Sequence, residues 1–141
     1  QDYTPVEHQQ VSSPVGVSRC VIIEAGDTDV DNQTIIDMAA EHDFVGGLIL
    51  RVSLDDPRLG DKLDEWQKLP KFRGVRMNIE EHPDPDIATK TEVIEGLVSC
   101  GIKSIMNYAP VSPSTPSDVK VQSIDPVLIL QSMTFYLSSS P

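Results

Sequence analysis

The 141-residue sequence predicts an α/β fold: an open, three-layer, doubly wound, mostly parallel sheet of 4–5 strands, Rossmann-like or flavodoxin-like, with helices on both faces. Three observations predict it. Short apolar runs alternate with segments whose apolar residues recur at helical spacing, the pattern of a parallel sheet covered by helices. The first two runs are apolar enough for strands buried on both faces. The chain is also short for a closed eight-stranded β/α barrel, which needs about 250 residues, so the sheet is expected to stay open.

The elements follow in order. Residues 1–18 are polar, hold two prolines and show no period, which predicts an extended arm. Cys20 to Ala25, closed by Gly26, is the first strand. Asp31 and Asn32 are expected to cap a helix carrying Ile35, Ile36, Met38, Ala39 and Ala40 on one face. Gly47 to Val52 is the second strand. Pro57 opens a second helix whose stripe, Leu59, Leu63, Trp66 and Leu69, ends at Pro70. Phe72 to Ile79 is the third strand, and an acidic, proline-bearing joint, Glu80 to Asp86, follows it. Thr89 or Thr91 starts a helix through Val93, Ile94, Leu97 and Val98, with Gly101 placed for a left-handed termination. Ile102 to Tyr108 is a fourth strand, and a loop with Pro110, Pro113 and Pro116 leads to a fifth at Val119–Gln122. Asp125-Pro126 starts a last helix through Val127, Leu130, Met133, Thr134 and Leu137. All of this reads as one domain over 1–141.

Composition narrows the function classes. Eleven Lys and Arg stand against 22 Asp and Glu, a formal charge of −11, so no nucleic-acid partner is expected. Two cysteines 80 positions apart fit neither a zinc motif nor a disulfide framework, which makes a reducing cytoplasm the expected location. No apolar stretch approaches the roughly 18 residues of a membrane span, and no signal-peptide core opens the sequence. Charge is uneven. Residues 1–85 carry 17 acids and 8 bases, whereas residues 86–141 carry 5 and 3.

Candidate chemistry is sparse. The turn after the first strand, Ala25 to Asp31, has a single glycine and three aspartates, unlike the glycine-rich turn that receives a pyrophosphate. Asp27, Asp29 and Asp31 have the spacing of the start of a calcium loop without its glycine and distal glutamate. The histidines, His8, His42 and His82, make no His-x-His or i, i+4 pair, so no metal site is assigned. His42 suits the C-terminal end of the first helix. Cys20 and Cys100 read as small buried hydrophobes. Asp27, Arg76 and His82 lie where ligands meet the C-terminal edge of an open sheet. Arg73 and Arg76 fall on opposite faces of their strand, and a buried guanidinium there calls for an anionic partner.

Two stretches resemble known families. Asp2-Tyr3-Thr4-Pro5, Gly16 to Arg19, Val21 to Gly26, Asp31-Asn32 and Phe72 to Arg76 resemble the early β/α units of the amidohydrolase-2 family, whose members are barrel-shaped, usually metal-dependent hydrolases, sugar-lactone hydrolases among them. The His-x-His that this family uses is not in the sequence, so no metal ligand carries over. Leu97 to Pro110, Asp118 to Val121 and Leu130 to Leu137 are similar to the end of the Rossmann domain of Rex-type redox-sensing repressors. That resemblance implies NAD(H) as cofactor, with Asn107 and Tyr108 at the nicotinamide end. It also implies a homodimer through the last helix, residues 126–138. Gly26, in the turn after the first strand, is a further candidate cofactor contact. The family's winged helix and glycine-rich turn are not found.

The two resemblances meet near residues 82–90, which reads as a splice in a recombined or engineered chain. The expected function is then mainly structural, with no intact catalytic site and no enzyme activity. The alternatives are an NAD(H) or adenine-nucleotide module of Rex type, or a remnant of a lactonase-like hydrolase using Asp27, His82 and Arg76.

Overall fold

The computed structural model describes residues 4–26, 28–79, 82–108, 111–125, 127–128 and 130–131. The fold is α/β, and every strand pair in it is parallel. The chain gathers into two compact units that divide between Asn78 and Ile79. Each has its own sheet: β1-β2-β3 in the first and β4-β5 in the second.

The first unit opens with a helix where an extended arm was expected. Helix α1 (Pro5–Ser12) starts on Thr4, whose hydroxyl accepts from the Glu7 N–H while the Glu7 carboxylate accepts from the Thr4 N–H. Pro5 sits at the first helical position, where no amide donor is needed. This reciprocal cap, not apolar periodicity, makes the segment helical. The His8 ring meets Phe44 edge to face at 5.5 Å and anchors the helix.

Strand β1 (Cys20–Ile23) leads to helix α2 (Asp29–Glu41), then β2 (Val45–Arg51), helix α3 (Leu59–Trp66) and β3 (Phe72–Arg76). Helix α2 begins one turn before the expected Asp31-Asn32 cap. Thr28 is the cap and Asp31 its reciprocal partner, at 2.9 Å from the Thr28 N–H. Asn32 has a different task. It is 3% exposed, its Oδ1 accepts from the Arg51 N–H and its Nδ2 donates to the Arg51 carbonyl, both at 2.8 Å, so one amide side chain holds the end of β2.

The core of this unit is Val45, Leu48, Leu50 and Val52 of β2 and its exit, with Ile35, Ala39, Phe44, Leu63 and Trp66 buried beside them. Trp66 tilts against Phe72 at 6.2 Å. The Lys71 ammonium donates to the carbonyls of Ala39 and His42 and so supplies the cation at the end of α2 that His42 was expected to provide. At the other end, Lys62 of α3 bridges Asp29 of α2 and Asp56, each at 2.9 Å. On β1, Val21 and Ile23 are each 54% exposed.

In the second unit a short 3-10 turn (Ile87–Thr89) precedes helix α4 (Thr91–Ser99), β4 (Ser104–Asn107) and β5 (Lys120–Ser123). Gly101 takes the left-handed conformation at φ +87°, with its N–H bonded to Val98 and that of Ile102 to Leu97. Both bonds complete a Schellman motif around the left-handed glycine expected there. Among the described residues, Ile87, Ile94, Leu97 and Val119 are the buried apolar ones. The last helix was expected over 126–138. Of it, Val127, Leu128, Leu130 and Gln131 are described, are helical and are exposed, and Asp125 Oδ1 accepts from the Val127 and Leu128 N–H groups. The rest of that span, and with it the dimer expectation, lies outside the described residues.

Three outcomes are expected. Replacing Asn32 with Leu removes both of its hydrogen bonds to the Arg51 main chain and lowers the stability of the first unit by about 1–3 kcal/mol, read by urea unfolding on Trp66 fluorescence. Gly101→Ala forces a left-handed alanine and costs about 1–2 kcal/mol, seen as faster hydrogen exchange of α4 amides. Asp56 is held below its usual 3.8 first by the hydrogen bond from Lys62, so its contribution is present above that pH and is lost as pH falls through the lowered value. The Tm difference between the native chain and Asp56→Asn therefore shrinks on acidification, measured by thermal melts from pH 7 downward.

Candidate functional site

Parallel sheets bind ligands beyond the carboxyl ends of their strands. Each unit has such an edge.

In the first unit that edge is built around Glu24, a residue that the sequence analysis passed over. Glu24 follows β1 and extends its ladder, donating its N–H to the Ile49 carbonyl at 2.9 Å. It is 7% exposed, and its Oε1 accepts from the Gly26 N–H at 2.5 Å. Arg76 ends β3, on the far side of β2, and its Nη1 donates to the Glu24 carbonyl at 2.8 Å. The partner of this half-buried guanidinium is thus a main-chain oxygen rather than the anion expected. Gly26 and Arg76 therefore meet through Glu24. A Cβ on Gly26 would lie 2.6 Å from the Asp31 carboxyl, so only glycine lets the turn close this tightly. The signal for Glu24 was available: one acidic residue stands inside the apolar run from Cys20 to Ala25.

The other acids of the turn are engaged elsewhere. Asp29 pairs with Lys62, and Asp31 accepts from the Thr28 hydroxyl at 2.7 Å. Asp27 lies outside the described residues. Among the described residues, no group of three or more His, Cys, Asp or Glu is arranged to hold a metal ion. Cys20 and Cys100 are half-buried rather than buried, and burial pushes the Cys20 thiol up.

In the second unit His82 serves a turn. Its Nδ1 accepts from the Asp84 N–H at 3.0 Å, and the Asp84 carboxylate pairs with Lys90, which holds it below its ordinary value. Asp27, His82 and Arg76 are thus not described as one site: Arg76 belongs to the first unit and His82 to the second. Asn107 and Tyr108 stand together at the end of β4. Asn107 is 8% exposed and donates from Nδ2 to the Val111 carbonyl at 2.5 Å and to the Ser123 hydroxyl at 3.4 Å, tying the loop and the end of β5 to β4. Tyr108 is 61% exposed, and its hydroxyl donates to the Met106 sulfur at 3.1 Å. Among the described residues no helix is long and apolar enough to cross a membrane.

No protein-family model matches the chain. Curated relatives do. The chain is 37% identical over 76 residues to the redox-sensing transcriptional repressor Rex of Roseiflexus sp. (strain RS-1), covering 54% of this chain and 33% of that protein. It is 52% identical over 46 residues to Rex of Chloroflexus aurantiacus (33% and 22%), and 45% identical over 94 residues to Rex of Lactococcus lactis subsp. cremoris (60% and 42%). The chain spans between about a fifth and two-fifths of the length of these relatives. Among solved structures, an amidohydrolase from Burkholderia multivorans superposes with a TM-score of 0.62 at 14% identity, over 77% of this chain and 39% of that one. That likeness is one of fold alone. The Rex matches overturn the expectation of no nucleic-acid partner, because the relatives are transcriptional repressors. The −11 charge is a sum over the whole chain, whereas phosphate binding depends on a local basic surface, so the sum does not decide the question. Both resemblances read from the sequence have a counterpart: the Rex resemblance in sequence, and the amidohydrolase resemblance in fold.

Proposed function

We propose that the second unit is the nicotinamide-facing part of a Rex-type redox-sensing regulator, and that the chain performs no catalysis of its own. The observation that carries this reading is the 45% identity over 94 residues to a Rex repressor. The geometry at the end of β4 is compatible with it. The exposed Tyr108 ring offers a stacking surface at the strand end, and buried Asn107 fixes the loop beside it.

The dinucleotide's two ends fit unequally. A pyrophosphate needs free amides at a helix N-terminus behind a glycine-rich turn. At the β1–α2 turn the Gly26 N–H is taken by Glu24, and Asp29 and Asp31 occupy the first turn of α2. Gly26 is therefore left out of the proposed site, and no step is derived through the diphosphate. Asn107 and Tyr108 are the residues that would face a nicotinamide ring, whose reduction state is the redox signal that such a regulator reads.

A titration followed by backbone NMR tests the reading. NADH is expected to shift the Asn107 and Tyr108 amides, ADP-ribose to leave them in place, and Tyr108→Ala to weaken the NADH effect about tenfold, the loss of one stacking contact. Equal shifts with ADP-ribose, or none with NADH, would overturn it.

A further inference from the structure

The first unit holds a buried acid that the reading above does not use. Glu24 is 7% exposed, and its described side-chain partner is a single amide, Gly26 N–H. Among the described residues no cation stands within ion-pair distance of its carboxylate. Burying a carboxylate with one donor and no counter-ion costs free energy that a bound cation would return. Beside it, Arg76 spends Nη1 on the Glu24 main chain, which leaves four of the five guanidinium N–H donors. Two side chains of opposite sign therefore sit at the C-terminal edge of one parallel sheet without pairing to each other. The guanidinium disfavours a bare cation there, and the carboxylate disfavours a bare anion. A molecule with both signs a few ångströms apart satisfies both.

We propose that Glu24 and Arg76 form a recognition site for a small amino carboxylate of the α-amino-acid type, the ammonium on the Glu24 carboxylate and the carboxylate on the Arg76 guanidinium. Charge-assisted hydrogen bonds of this kind are the strong ones, and the Arg fork suits a carboxylate. The site lies in the first unit and does not depend on any nucleotide at β4.

The test is an NMR titration of the chain with the common α-amino acids, propionate and ethylamine, followed on the Gly26 amide and the Arg76 side-chain signals. At least one amino acid is expected to saturate both signals, with propionate and ethylamine at least tenfold weaker. Glu24→Gln is expected to abolish the response while the amide spectrum stays dispersed. Arg76→Lys, which keeps the charge and loses the fork, is expected to weaken it and serves as the variant if Glu24→Gln does not fold. No response from any amino acid, or equal binding of propionate or ethylamine, overturns the proposal. Neither result bears on the Asn107 and Tyr108 amides, so it is read separately from the NADH titration.

Discussion

Strand β2 has no free edge. Both β1 and β3 take its main-chain hydrogen bonds, and its residues are fully or partly buried with none exposed, so the first unit is organised by what this strand tolerates. Its tandem Gly46-Gly47 follows from that position. The stems of Arg19 and Arg73 lie against the two glycines, and a Cβ on Gly47 would come within 2.9 Å of Arg73 Cγ. Its far end is fixed by Asn32, and its neighbours' ends are joined across it by the bond from Arg76 to Glu24. The candidate edge of the unit is therefore a consequence of how a central strand is held at its exit.

Much of the fold was legible because it rests on local signals. The apolar runs located all five strands to within a few residues, and the glycine after Cys100 marked the left-handed end of α4. Thr4-x-x-Glu7 and Thr28-x-x-Asp31 are equally local, yet they are polar patterns and leave no trace in apolar periodicity. What was not legible depends on residues far apart in sequence. Lys71 caps a helix that ends thirty residues earlier, Asn32 clasps a strand end nineteen residues on, and Arg76 reaches a carbonyl fifty-two residues back. Spacing along the chain says nothing about such meetings. Strand pairing has the same character: that the five strands divide three and two is decided by tertiary packing, not by any one strand's composition.

The same physics explains why two families resemble one chain. The match to Lactococcus Rex takes in 60% of the sequence, more than the 56 residues after position 85, and the likeness to the Burkholderia amidohydrolase takes in 77%. Apolar parallel strands joined by amphipathic helices are common ground for open sheets and barrels, so fold likeness spreads further along the chain than function does.

An all-parallel arrangement also sets the order in which the chain can acquire structure. Neighbouring strands of the first unit are never joined by a tight turn; each pairing waits for an intervening helix, as parallel connections require. Among the described residues of the first unit no hairpin is available as an early local nucleus, and the smallest unit that gains from pairing is two strands with α2 packed on them. Chain-closure entropy is spent before any ladder bond is gained. Until β3 docks, β2 presents an unpaired apolar edge, which makes the interval before that step the time when neighbouring copies can capture it.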